Sequence, residues 1–132
     1  MPIPMTSYLK KTIAADALVS GAAGVAMMAG STLLPGLLGL PAELMFWAGL
    51  ALVPFVIELV LILRMKQVAP GFIVALIAIN IAWVVASFFV AFGSAFAPTP
   101  FGKVFVVAQA ATVALFAELQ IVGLKRASRV AA

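Results

Sequence analysis

The sequence predicts an all-α membrane protein, an antiparallel up-down bundle of four transmembrane helices with both termini on the cytoplasmic side. Three observations lead to this fold class: an apolar content of 66% with only 9% charged residues, four long apolar runs, and a one-sided distribution of Lys and Arg. A water-soluble domain normally has about a quarter of its residues charged. Lipid must therefore solvate most of this surface, and the length predicts one transmembrane domain, residues 1–132.

Proline, glycine and charged residues divide the apolar sequence into four predicted spans. They cover residues 13–34, 43–63, 71–92 and 102–124. Each is close to the roughly 20 residues that cross a hydrocarbon core as a helix. The connections are short, so consecutive helices are expected to run antiparallel as neighbours. Transmembrane strands would need segments of about ten residues with alternating polar and apolar positions, and the sequence has no such pattern.

The basic residues set the predicted orientation, because Lys and Arg concentrate in short cytoplasmic loops. In a four-span arrangement one side carries Lys10, Lys11, Arg64, Lys66, Lys125, Arg126 and Arg129, and the other side carries Lys103. Both termini are therefore expected in the cytoplasm, with the protein in a bacterial inner membrane. The net charge of +4 comes from these basic residues, which are expected to contact anionic lipid headgroups rather than nucleic acid.

Three of the four acidic residues, Asp16, Glu58 and Glu118, lie in the interior of the predicted spans. By helical rise, each is roughly 8–11 Å inward of the cytoplasmic basic residues. Ionisable groups at membrane depth are costly and by default face the bundle interior or a cavity. With Asn80, near mid-membrane, they form a candidate ligand or proton site in which Glu58 and Glu118 are buried toward one another. The alternative is that each acid pairs with a neighbouring Lys or Arg at the interface.

The fourth span presents two faces. Gln109, Thr112, Phe116 and Gln120 share one face, and Glu118 lies on the opposite one, since nine residues at 100° each separate it from Gln109 by half a turn. Both faces do not easily fit into one small bundle. The Gln109 face is therefore expected to contact a second protomer or another membrane protein.

Small and polar residues at helical spacing mark faces of the first and third spans. Asp16, Ser20 and Gly24 form such a stripe in the first span, and Asn80 and Trp83 begin another in the third. Small residues at this spacing let helices approach closely. Because Trp83 lies far from either interface, its indole N–H is expected to find a hydrogen-bond partner inside the bundle.

The composition excludes several kinds of chemistry. Cysteine and histidine are absent, which removes disulfides, thiol nucleophiles and the usual zinc, copper and haem ligand sets. The sequence also lacks a Walker loop, a dinucleotide-binding glycine pattern and a Ser/His/Asp set. A protein without catalytic residues, metal or cofactor is predicted, and bound lipid is compatible with this prediction.

Three segments, AADALVSGAAG, IAINIAWVVAS and AQAATVALFAELQIVGLKR, resemble those of small four-helix bacterial inner-membrane proteins, and the plan of the chain is similar to that of DoxX-like proteins. The likeness covers most of the chain and rests on hydropathy and small residues. It implies a four-helix bundle and no catalytic residues. The small multidrug resistance family also has a carboxylate in its first helix, where Asp16 lies here, but the surrounding residues do not match that family's pattern.

Two functions are consistent with these patterns. The favoured one is an accessory or structural subunit that associates with itself or with a larger membrane complex through helix packing. The alternative is a small proton-linked transporter, or a carrier of a hydrophobic ligand or lipid, in which Asp16, Glu58, Asn80 and Glu118 line a cytoplasm-facing site. Four helices of this length enclose little volume, which favours the first function.

The predicted orientation can be tested with single cysteines, since the chain has none of its own. A cysteine replacing Gln67 is expected to react with a membrane-impermeant maleimide from the cytoplasmic side, and one replacing Thr99 from the opposite side. The reason is that the basic residues flanking Gln67 are retained in the cytoplasm. Labelling of position 67 in intact cells would contradict the orientation.

Overall fold

The computed structural model describes residues 1–131, so Ala132, the last residue of the predicted domain, lies outside the described residues. Four of the helices in this part of the chain are long and apolar enough to span a membrane, which confirms the predicted multi-pass membrane protein. The elements, in chain order, are β1 (Ile3–Pro4), α1 (Ser7–Ala29), α2 (Leu34–Leu38), α3 (Ala42–Leu63), β2 (Gln67–Val68), α4 (Pro70–Phe92) and α5 (Pro100–Ala131).

The two middle spans agree with the prediction to within one residue, whereas α1 is shifted toward the N-terminus. It begins at Ser7 rather than at residue 13, because the Thr6 side chain caps it by accepting a hydrogen bond from the Leu9 N–H at 3.2 Å. It ends at Ala29 rather than at residue 34, with Gly30 as the C-cap. Helix capping, which the hydropathy pattern does not register, accounts for the shift at the N-terminal end.

Helix α5 is longer than the predicted span 102–124 and contains 32 residues. At 1.5 Å per residue it is about 48 Å long, more than the roughly 30 Å of a hydrocarbon core. Its last turns carry Lys125, Arg126 and Arg129. Basic residues are favourable near the C-terminus of a helix, where the macrodipole is negative, so the charged residues end the apolar run without ending the helix.

Close helix packing joins α1 to α3, α4 to α5, and α1 to α5. Two glycines allow the first of these contacts. A Cβ atom added at Gly49 would lie 2.9 Å from the carbonyl oxygen of Gly24 and 3.0 Å from Cβ of Met27. The small-residue stripe of the first span is thus used for packing within the chain.

The N-terminal segment, the α3–α4 connection and the C-terminal part of α5 meet at one end of the bundle. Strand β1 pairs antiparallel with β2, which places Ile3 opposite Val68, and both side chains are buried. The Arg126 guanidinium lies 4.5 Å from the centre of the Tyr8 ring, a cation–π contact between α5 and α1. The ribbon therefore fixes the start of the chain against the connection at residues 64–69.

The α1–α3 and α4–α5 connections also contact each other. The Thr99 N–H donates to the Leu38 carbonyl at 2.9 Å, and the Thr99 hydroxyl donates to the Leu37 carbonyl at 2.8 Å. Gly39 turns the chain there with φ of 70°, and a Cβ atom on it would lie 2.7 Å from the Thr99 nitrogen. One backbone hydrogen bond and one side-chain hydrogen bond from Thr99 thus join the two connections at this end.

We expect the substitution Gly49→Ala to destabilise the protein by about 1–3 kcal/mol, because the added methyl group must separate α3 from α1. The free energy of unfolding can be measured by titration with sodium dodecyl sulfate in mixed micelles, followed by circular dichroism. Gly21→Ala is the matched control, since a Cβ atom there meets Val56 Cγ1 at an ordinary 3.9 Å. Equal destabilisation by the two changes would show that close approach at Gly49 is not what matters.

Candidate functional site

A cluster of four polar side chains is buried between α1, α4 and α5. Asp16 and Gln120 are completely inaccessible, and Asn80 and Ser20 are 2% and 8% exposed. The Asp16 carboxyl accepts hydrogen bonds from Ser20 Oγ at 2.9 Å, from Asn80 Nδ2 at 3.0 Å and from Gln120 Nε2 at 2.7 Å. Asn80 Nδ2 also donates to Gln120 Oε1 at 3.0 Å. The carboxyl group therefore connects three helices.

The hydrogen bonds of this cluster define how its two amides are oriented. Asp16 Oδ2 has two amide neighbours, and a carboxylate oxygen requires donors, so both Asn80 and Gln120 turn their nitrogen atoms toward it. The Gln120 oxygen is then placed to accept the second Asn80 hydrogen. Within residues 1–131 the donors that reach Asp16 are neutral groups, so hydrogen bonds rather than an ion pair stabilise it.

A second polar network joins α4 to α5, and it confirms the expectation for Trp83. The Trp83 indole N–H donates to Gln109 Oε1 at 2.8 Å. Gln109 Nε2 donates to Ser87 Oγ at 2.8 Å and to the Val106 carbonyl at 2.9 Å, and the Ser87 hydroxyl donates to the Trp83 carbonyl at 2.7 Å. Each of these side chains thus donates a hydrogen bond to the neighbouring helix or to a backbone carbonyl of its own helix.

A cavity of about 390 Å³ lies between the four long helices, next to both polar networks. Its lining is mainly aliphatic and aromatic, with contributions from α1, α3, α4 and α5. Ser20 and Asn80 of the first network line it, as do Trp83, Ser87 and Gln109 of the second. The cavity therefore has an apolar body and a wall with a few polar atoms, which is the usual composition of a small-molecule site.

The cavity reaches the outer surface of the bundle. Val19, Ile79 and Phe105 line it, and they are 41%, 42% and 40% exposed. All three belong to the helices that are apolar enough to cross a membrane. The cavity is therefore only partly enclosed, and the exposed residues of its lining are apolar.

The structure brings together two of the four residues of the predicted acidic site. Asp16 and Asn80 are in contact, whereas Glu58 is half-buried on α3 and Glu118 is exposed on α5. The expectation that Glu58 and Glu118 are buried toward one another is therefore wrong for Glu118. The physical reason is that the positions next to Asp16 are occupied by the amides of Asn80 and Gln120, which donate hydrogen bonds to it. A second carboxylate at the same place would repel that of Asp16.

The predicted partner face of α5 also needs a correction. Gln120 and Phe116 are buried in the bundle at 0% and 7% exposure, and Gln109 binds Trp83 and Ser87. Thr112 is half-buried, and its hydroxyl donates to the Ala108 carbonyl of its own helix. The two faces of α5 are half a turn apart as predicted, but the Gln109 face points inward and Glu118 points outward.

Sequence reasoning missed Ser20 and Gln120 as members of the buried cluster. Gln109 and Gln120 are eleven residues apart, close to three full turns, so they lie on one face of α5. Two amides on one helix face, opposite a stripe with Asp16 and a stripe with Asn80, can satisfy each other inside a bundle. This complementarity of donors and acceptors was the available signal. Within residues 1–131 the acidic side chains form no group of three that could hold a metal ion.

We expect Gln120→Leu to destabilise the protein by about 1–3 kcal/mol, because it removes one donor to the buried Asp16 carboxyl and the acceptor of Asn80. Thr112→Val is the matched control on the same helix, since the Thr112 hydroxyl donates to the Ala108 carbonyl of that helix and, within residues 1–131, to no other element. Both variants can be compared by the same detergent titration. A loss for Thr112→Val as large as for Gln120→Leu would argue against the special importance of the Asp16 cluster.

Comparison of the chain with protein-family models, with curated proteins and with solved structures gives no match. The resemblance to DoxX-like proteins therefore stays a prediction. The cavity and the two polar networks are the features of the chain on which a functional proposal can rest.

Proposed function

We propose that this protein is a membrane-embedded carrier or binding protein for a hydrophobic ligand that enters from the bilayer. The observation that supports this proposal is the cavity of about 390 Å³, which is lined by all four long helices and is partly open to the outside of the bundle. Its volume falls in the range of roughly 300–1,000 Å³ that is usual for ligand sites. It is also much larger than the voids that remain in ordinary close-packed interiors.

The bilayer is the natural source of the ligand. The cavity is partly open, and its lining includes Val19, Ile79 and Phe105, which are apolar and partly exposed. An apolar molecule that moves from lipid into the cavity does not have to be hydrated on the way, and it restores van der Waals contacts to the lining side chains. A molecule dissolved in water would have to reach the same opening through the hydrocarbon core.

Association with a larger complex is less well supported, because the face that was predicted to mediate it packs inside the chain. Gln109 and Gln120 use their hydrogen bonds for Trp83, Asn80 and Asp16. Proton coupling is also not part of the proposal, since Asp16 does not line the cavity and is separated from it by Ser20 and Asn80. Homo-oligomerisation stays a prediction.

The proposed orientation places both termini and the α3–α4 connection in the cytoplasm of a bacterial inner membrane, with up-down helices. The pairing of β1 with β2 supports it, because Lys66 and the N-terminal lysines then lie at one end of the bundle. The contact between Arg126 and Tyr8 brings the basic end of α5 to the same place. Basic residues gathered at one end are typical of a cytoplasmic surface.

Ligand entry can be tested by fluorescence quenching, because Trp83 lines the cavity and Trp47 is the other tryptophan of the chain. In a Trp47→Phe background in lipid nanodiscs, 11-bromo-1-undecanol is expected to quench Trp83 saturably. Ala48→Phe places a ring in the cavity and should weaken the apparent affinity of the probe by about tenfold or more, which corresponds to at least about 1.4 kcal/mol. Native mass spectrometry of the same samples reports bound ligand and oligomeric state together.

The control is Ala22→Phe, which adds the same side chain to an exposed position of α1 that does not line the cavity. It should leave the quenching curve unchanged. Quenching that rises linearly with probe concentration and is the same in both variants would mean that the probe reaches Trp83 from the bulk lipid. That result would overturn the proposed function.

A further inference from the structure

The polar side chains that line the cavity have already used their hydrogen-bond donors within the protein. Ser20 donates to Asp16, and both Nδ2 hydrogens of Asn80 are used by Asp16 and Gln120. The remaining donors of the lining are those of Trp83, Ser87, Gln109 and Thr112, and each is paired with a side-chain or backbone oxygen. What the polar wall can offer to a ligand is therefore acceptor capacity.

Among these acceptors we consider Asn80 Oδ1, because it receives no hydrogen bond from residues 1–131 and the amide that carries it has a fixed orientation. Within residues 1–131 no group donates a hydrogen bond to this atom, although Asn80 is only 2% exposed. No side-chain oxygen or nitrogen that is fully buried in this part of the chain lacks a partner. Oδ1 must therefore keep a small accessible surface, and Asn80 is one of the residues that line the cavity.

The orientation of Asn80 is not adjustable, because its nitrogen is held by Asp16 and by Gln120 Oε1. Turning the amide over would place Oδ1 against two other acceptor oxygens. The position of the oxygen is consequently fixed by the same hydrogen bonds that satisfy the buried carboxyl, in a residue that lines the cavity. An acceptor held in this way discriminates between ligands by whether they can donate a hydrogen bond to it.

Charge further restricts the ligand. None of the side chains that line the cavity is a Lys, Arg, Asp or Glu within residues 1–131. An anionic head group would have no cation beside it there, and a charged group of either sign is costly at membrane depth. A neutral donor is the head group that satisfies Asn80 Oδ1 without bringing a charge into the bundle.

We propose that the ligand of this cavity is an apolar molecule with a neutral hydroxyl group, and that this hydroxyl donates to Asn80 Oδ1. The inference rests on the proposed function and narrows it to one chemical class, lipidic alcohols. Molecules whose polar end only accepts, such as ethers, ketones and esters, leave Oδ1 unpaired and place oxygen against oxygen. They bind less tightly than an alcohol of the same shape and chain length.

The test compares 11-bromo-1-undecanol with its methyl ether on the Trp47→Phe protein in nanodiscs, with Trp83 quenching as the readout. Dissociation constants are expressed as mole fractions of the lipid, so that partition into the bilayer does not enter the comparison. One net hydrogen bond makes the alcohol bind about three- to tenfold more tightly than the ether. Equal affinity, or tighter binding of the ether, overturns the inference and leaves the proposed function in place.

Failure of the proposed function gives a different result, because neither probe then quenches saturably and Ala48→Phe changes nothing. Asn80→Leu locates the acceptor: it should remove the preference for the alcohol, while Ala22→Leu, which adds the same side chain at an exposed position of α1 that does not line the cavity, should retain it. A preference that persists in folded Asn80→Leu protein overturns the assignment to Oδ1. If Asn80→Leu does not fold, the comparison of the two probes on the unaltered Asn80 decides the inference.

Discussion

The Asp16 carboxyl group has to be satisfied by hydrogen bonds in a protein whose solvent is mostly lipid, and much of the structure depends on this requirement. Its three donors come from its own helix, from α4 and from α5, and they hold these helices at fixed distances. Helix α3 contributes no side chain to the cluster. It packs against α1 through the close contact of Gly24 and Gly49. Within residues 1–131 no side-chain hydrogen bond joins α3 to another helix, and the cavity lies beside α3.

The same hydrogen bonds connect stability with selectivity. Because the Asp16 carboxyl and the donors that reach it are paired with one another, they do not need water or a ligand in order to stay buried. The amide geometry that pairs Asp16 also determines which atoms are presented to the cavity, and those atoms are oxygens. A side chain such as Asn80 thus serves the fold with its nitrogen and the cavity with its oxygen, so a change that removes one property removes the other.

Much of the fold is predictable from the sequence, because each span is apolar enough to be recognised without its neighbours. The middle two spans are also bounded by proline, glycine or a charged residue. The polar stripes with Asp16 and Asn80 are predictable for the same local reason. The inward face of α5 is not, because its two faces differ by half a turn and both carry polar groups. The choice depends on which donors pair with Asp16 across 104 positions of the chain, a tertiary property that no single helix records. The cavity depends on a gap between helices and is equally invisible.

The distance along the chain between Asp16 and Gln120 also has a consequence for biosynthesis. A ribosome delivers α1 to the membrane first and α5 last, so the carboxyl group enters the bilayer long before its amide partner from α5 has been made. Until then, the first helix carries an acid that only Ser20, one turn away, can serve from within the same helix. During insertion the first helix therefore carries a carboxyl group that lacks its donors from α4 and α5. The hydrogen-bond set of Asp16 is complete only when α5 has entered the membrane.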